Sequence, residues 1–217
     1  LEMEKRLEAK ECATHAPVRE LLTVHRRSVM IGIGATCLNA VAFYLLLSYM
    51  PTYLSTEMGM SESDSFLAST VSLATYIGLI FLMGKLSDRF GRKTMLLTAS
   101  LLFLALTFPL FGMLENQPLI VILMIQIAFG AILAMNDGTL PCFLAEIFPT
   151  RVRFSGFAFS FNIANAVFGG TAPFIATWLI QVTGNKMAPA WYLLAAAAIA
   201  LIAMLASRET AHKALQD

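Results

Sequence analysis

A single carboxylate, Asp137, stands in a stretch from Leu119 to Ala145 that otherwise carries no acid and no Lys, Arg or His. An ionised side chain inside hydrocarbon costs about 2.5–3.5 kcal/mol on insertion scales, so such a residue is a candidate for handling a proton or a charged solute. Gln126, Gly130 and Leu133 precede it at helical spacing, so one helix face is expected to present Gln126, Gly130 and Asp137, with Asn136 beside them. A carboxylate there can bind an ammonium group or carry a proton. The alternative is a hydrated or Arg-paired acid near the mouth of the span. Neutral hydrogen-bonding groups occur in two other apolar stretches: Asn39 and Tyr44 in one, Asn162 and Asn165, sharing a face with Gly169, in the other. Such groups contact solute or bond neighbouring helices.

The second cluster with chemical potential is Gly84-Lys85-Leu86-Ser87-Asp88-Arg89-Phe90-Gly91-Arg92-Lys93. It sets four cations and one acid between two uncharged runs, Ser65 to Gly84 and Thr94 to Leu114. Each run is about 20 residues, enough to cross a bilayer as a helix. The cluster is therefore expected as a tight hinge between two spans, with Gly84 and Gly91 allowing the turn. Asp88 is expected to accept from the free N–H groups of the following helix.

These elements need a membrane to position them. At 217 residues, 58% hydrophobic and only 13% charged, the chain is too apolar for a water-soluble domain. The cations are also unevenly spread. Of 15 Lys and Arg, six precede Val29, four lie in the hinge, and Arg151, Arg153, Arg208 and Lys213 follow, while Lys186 alone falls on the other side. The cation-rich segments are expected on the cytoplasmic face. Cys12, Cys37 and Cys142 lack metal-ligand spacing and read as free thiols. His15, His25 and His212 lie in polar segments, outside any span.

In chain order, residues 1–27 form a charged cytoplasmic linker, with Val18 to Thr23 and Arg26-Arg27 making an amphipathic approach to the membrane. The transmembrane domain covers 28–206, and 207–217 is a cytoplasmic tail. The first span is expected from Ser28 to Tyr49, ended by Met50-Pro51, with an outer loop over 51–64. The second and third spans flank the hinge, and Glu115 to Pro118 makes a short outer turn. The fourth span reaches about Ala145, Pro149 stops it, and Arg151 and Arg153 hold the next connection at the headgroups. A fifth span within Phe154 to Asn185 bends near Gly169, Gly170 and Pro173, and the sixth runs from Pro189 to Ala206. The fold class is all-α: a bundle of six transmembrane helices. The chain begins without a signal peptide and looks like a piece of a longer polypeptide.

Gly84, Asp88, Arg89, Gly91, Arg92 and Lys93 resemble the loop motif of major facilitator transporters. Tyr49-Met-Pro-Thr-Tyr-Leu54, Phe148-Pro-Thr-Arg-Val-Arg153 and Ser155-Gly156 resemble the metabolite:proton symporter group, which includes proline/betaine, citrate, 2-oxoglutarate and shikimate transporters. The resemblance implies the C-terminal half of a twelve-helix transporter whose halves rock about a central site in alternating access. It implies proton-coupled uptake of a small polar solute across a bacterial inner membrane, with both ends of this segment cytoplasmic and an N-terminal six-helix half as partner. Asp88 and its cations share the inner surface with Glu146, Arg151 and Arg153 and are expected to form a cytoplasmic gate, in which Glu146 can pair locally with Arg92; solvated surface charge with no gating role is the alternative. The lone acid favours a cationic or zwitterionic solute, whereas a citrate-type or 2-oxoglutarate-type carboxylate requires cations that no span here supplies. A membrane fragment without transport of its own is the other reading.

Enzyme activity is not expected. Gly84-Lys85-Leu86 has no Ser or Thr after the lysine and so lacks a phosphate loop. No nucleophile triad or metal set is present, no cofactor beyond the coupling proton is expected, and no nucleic-acid partner.

Overall fold

The computed structural model describes residues 17–211. Among them six helices are long and apolar enough to cross a membrane: Arg26–Thr56, Glu62–Phe90, Arg92–Gly112, Leu119–Glu146, Arg153–Thr183 and Ala188–Ala206. No strand occurs among the described residues. The six-span helical bundle expected from the hydrophobic pattern is the observed architecture. Most of the linker, with Cys12 and His15, and the end of the tail, with His212 and Lys213, lie outside the described residues.

Two spans depart from regular α-geometry. The first is helical over Arg26–Phe43, widens to a π-helix over Tyr44–Tyr49, and resumes as an α-helix over Met50–Thr56. Met50-Pro51 therefore does not end it. Pro51 sits in the first turn after the π-segment, and the helix passes through it to Thr56. The expected outer loop over 51–64 shrinks accordingly, because Ser61 already caps the second helix by accepting from the Asp64 N–H at 3.1 Å. The fifth span has the same construction, with Arg153–Ala164, a π-segment over Asn165–Gly169 and Ala172–Thr183.

The motif is not an open hinge. The second helix runs unbroken from Glu62 through Phe90, and Gly91 alone, at φ 97° and ψ 146°, separates it from the third. That φ is open to glycine and strained for other residues. Gly84 makes no turn. It lies inside the helix, where a Cβ would sit 3.3 Å from the Gly138 carbonyl oxygen. The fourth span pauses at Gly138-Thr139, between Leu119–Asp137 and Leu140–Glu146, and ends at Glu146, ahead of Pro149.

Lipid is as apolar as leucine, so the helices are held by close packing rather than by the hydrophobic effect. Small residues make the closest approaches. The second and fourth spans meet where Gly130 faces the Ser72 carbonyl and Gly138 faces that of Ile80. Gly34 of the first span meets Ala203 of the sixth, and Gly32 meets Ser160 of the fifth. Outward-facing side chains such as Phe81, Phe154 and Phe174 are exposed, as suits a surface solvated by hydrocarbon. At the end of the bundle that carries the motif, Leu21 of the short helix Pro17–Thr23 is buried with Val29, Phe148 and Val152.

Candidate functional site

Asp137 is the last residue of the helix Leu119–Asp137 and is half-buried. The pairing of the second and fourth spans brings Tyr76 to it, and the Tyr76 hydroxyl donates to Asp137 Oδ2 at 2.6 Å. Asn39 of the first span donates from Nδ2 to Asp137 Oδ1. Both carboxylate oxygens thus accept a hydrogen bond from a neutral donor, and no salt bridge to Asp137 occurs among the described residues. The carboxylate opens onto a pocket of about 310 Å³ between the first, second, fourth and fifth spans. Phe43, Tyr44, Tyr76 and Phe161 form aromatic walls, and Asn165 adds a further amide. Phe43 packs edge-on against Tyr44 and against Tyr76, with ring centroids 5.9 and 6.1 Å apart.

Of the residues singled out from sequence, Asp137, Asn39, Tyr44 and Asn165 meet at this pocket. Gln126 and Asn136 do not. Gln126 shares a face with Gly130 and Asp137, but that face is sealed at Gly130 by the Ser72 backbone, so it reaches the pocket only at the level of Asp137. Gln126 is fully buried, with neither amide atom hydrogen-bonded, and the Asn136 side-chain oxygen is in the same condition. Asn162 is exposed and donates to the Ala158 carbonyl of its own helix at 2.7 Å. Asn165 likewise donates to Phe161, at 2.9 Å, while lining the pocket. Tyr76 is the residue that sequence reasoning missed. Its one sequence signal is a phenol within an otherwise uncharged span.

A second polar network lies at the motif end. Arg92 pairs with Asp88 at 2.5 Å and donates to Ser87 Oγ at 2.6 Å and to Glu146 Oε1 at 3.3 Å. The expected Glu146–Arg92 pair is therefore present. Glu146 Oε2 accepts from the Thr210 hydroxyl at 2.6 Å. The third helix begins with free N–H groups, and the residue that accepts from them is not Asp88. Glu209 Oε1 takes the N–H groups of Arg92 and Lys93 at 2.9 and 3.3 Å, together with those of Thr210 and Ala211 at 3.0 and 3.1 Å. Asp88 is committed to the Arg92 guanidinium instead. Partial burial alone would raise the Glu209 carboxyl, but these backbone donors outweigh it and hold the group below the usual carboxylate range. Lys93 Nζ donates to the Ser207 carbonyl at 2.7 Å, completing a strap of the post-span segment across the motif.

The remaining cations stand apart from this network. Arg89 lies over the Phe90 ring at 5.6 Å. Arg151 pairs with Glu20 at 3.5 Å, and Arg153 donates to the Phe148 carbonyl and the Thr150 hydroxyl. The gate as expected thus divides: Asp88, Arg92 and Glu146 are joined, whereas Arg151 and Arg153 brace their own connection. Glu209, Thr210 and Ser87 complete the network and were missed, since Ser207–Thr210 reads as an ordinary solvated tail.

A six-span helical bundle with an acid in a mid-span pocket and a charged network at one end has the build of a solute carrier. A family model described as "Sugar (and other) transporter" matches residues 1–217. The glycine betaine/proline/ectoine/pipecolic acid transporter OusA of Dickeya dadantii is 35% identical over 91% of this chain and 39% of its own length. The proline/betaine transporter of Escherichia coli K12 gives the same identity and coverage. A citrate-proton symporter of Klebsiella pneumoniae is 34% identical over 87% of this chain and 44% of its own length. The chain belongs to the sugar (and other) transporter family of the major facilitator superfamily, in its metabolite:proton symporter group. It spans about two fifths of the length of the curated relatives it matches.

Proposed function

We propose that this chain forms the C-terminal half of a proton-coupled symporter for a small solute bearing a positive charge, a betaine-like zwitterion in the first instance. The observation that carries the reading is Asp137: a carboxylate in a mid-span pocket, bonded only to neutral donors and facing aromatic walls. An ammonium group there gains the attraction of the carboxylate and of the ring faces, the latter about 0.5–2 kcal/mol. No Lys or Arg lines the pocket, so in this reading the zwitterion's own carboxylate is met by the other half. Symport carries both loads in one transit, so in this reading Asp137 holds the ammonium group while the coupling proton rides on a separate group as the site is exposed to one side and then the other. Asn39 and Tyr76 position Asp137 for the ammonium load.

In this reading the pocket is closed on its open flank by an N-terminal six-helix half, and the motif end faces the cytoplasm of a bacterial inner membrane. The bias of Lys and Arg toward that end supports the orientation. The division into linker, transmembrane domain and tail follows from it, and the strap over Gly91 to Lys93 becomes part of the cytoplasmic gate. Solute carriage without any chemical change to the solute leaves no role for a catalytic group or cofactor.

The citrate-proton symporter relative favours a second reading, a carboxylate solute, for which the other half would supply the cations. Uptake by the full-length protein in proteoliposomes with an acid exterior separates the two. Labelled glycine betaine and proline are expected to accumulate while citrate and 2-oxoglutarate do not. Accumulation of citrate alone would reverse the assignment.

A further inference from the structure

The π-segment of the fifth span packs against the first span where that span's own π-segment begins. Tyr44 opens the one in the first span and Asn165 opens the one in the fifth, and both residues line the pocket. A π-turn places its residues out of α-register, which re-aims side chains, and such turns concentrate at functional sites. The two segments touch at Gly169. A Cβ built on that residue would lie 2.7 and 2.8 Å from Tyr44 Cδ2 and Cε2 and 3.2 Å from the Ala40 Cβ, so the tyrosine ring lies directly on the glycine backbone.

The fifth span cannot easily retreat. Tyr192 of the sixth span donates to the Phe168 carbonyl at 3.0 Å, and within the segment the Gly170 N–H donates to Asn165 at 2.7 Å. The first span is equally fixed, with Ala40, Val41 and Leu45 buried and Tyr49 bonded to Thr177 at 3.0 Å. Any atom added at Gly169 must therefore be accommodated by the Tyr44 ring, whose open side is the pocket.

We propose that Gly169 is the specificity-determining position of this pocket: by letting the Tyr44 ring lie back against the fifth span, it sets the width available to a bulky ammonium head. The proposal rests on the reading of the pocket as an ammonium site. Tyr44, backed by Gly169, lines the pocket together with Asp137 and Tyr76, and the size of the group bound there follows from how far the ring stands in. A methyl group in or out of an apolar pocket changes discrimination by about 10-fold to 200-fold.

The test uses the full-length protein in proteoliposomes under an imposed proton gradient, with glycine, sarcosine, dimethylglycine and glycine betaine as graded solutes. Gly169→Ala is expected to lower uptake of glycine betaine relative to sarcosine by about tenfold or more, the loss growing with each methyl group. The ratio within one variant is independent of how much protein inserts. Tyr44→Leu in the Gly169→Ala background removes the ring and is expected to restore the wild-type ratio, while Tyr44→Leu alone relaxes selection against heads larger than trimethylammonium. A wild-type protein that carries the series, with ratios unchanged in Gly169→Ala or not restored in the double variant, would overturn this proposal and leave the ammonium site standing. A wild type that carries none of the series removes the ammonium reading, and this inference with it.

Discussion

The pocket around Asp137 and the network around Arg92 both contain carboxylates held by donors, and they solve opposite problems. At the motif end the carboxylates find partners within the chain: Asp88 and Glu146 on Arg92, Glu209 on backbone N–H groups. That network is closed and suited to holding shape. In the pocket, the two bonds to Asp137 come from an amide and a phenol, neither of which brings a counter-charge. Two hydrogen bonds offset part of the cost of burying a carboxylate, and the absence of an ion partner among the described residues leaves it open to a cation. On the proposed reading, the contrast separates a site that takes up a solute from a network completed within the chain.

The sharpest way to break the contrast is to give the pocket what the motif end has. Asn39→Lys places a cation against Asp137, and uptake of glycine betaine is expected to fall to the level of empty vesicles, with the protein still inserted. Tyr76→Phe is milder, since it removes one hydrogen bond to the carboxylate, about 1.5–3 kcal/mol for a bond to a charged group. Solute affinity, read by competition, is expected to change by roughly tenfold to a hundredfold, and the ring wall remains.

At the motif end the effects are on stability. The folded Glu209 carboxyl titrates below its unfolded value, so its contribution is complete above the ordinary glutamate range and is lost as pH falls through the folded value. Thermal unfolding in detergent should therefore show wild type losing more stability on acidification than Glu209→Gln, and the two curves should converge at low pH. Asp88→Asn is the smallest change. Its carboxylate is 64% exposed, and a pair of that kind is worth about 0–1 kcal/mol, so a melting shift of at most a few degrees is expected. A changed rate of labelling at exposed Cys142 with solute present would report the gate.

The six spans were legible because hydrophobic run length is fixed by membrane thickness, and Asp137 was legible because an acid stands out in such a run. Tyr76 was not, because its role depends on how the second and fourth helices are registered, and that register is set by contacts at Gly130 and Gly138 which one sequence does not pair. Gly84 misled for a related reason: a glycine in a basic motif suggests a turn, yet this one serves a helix contact. Glu209 lies remote in sequence from the helix it caps, and capping by a distant acid leaves no local pattern. The π-segments escaped as well, since an extra residue per turn changes neither hydropathy nor length.

The central claim is that Asp137 is the unneutralised charge that holds the solute's ammonium group during proton-coupled entry. Proton entry driven by added glycine betaine, followed with an internal pH dye in proteoliposomes of the full-length protein, addresses it most directly. Wild type should acidify its lumen on solute addition and Asp137→Asn, inserted to the same level, should not. Solute-driven acidification in Asp137→Asn equal to that of wild type would contradict the account.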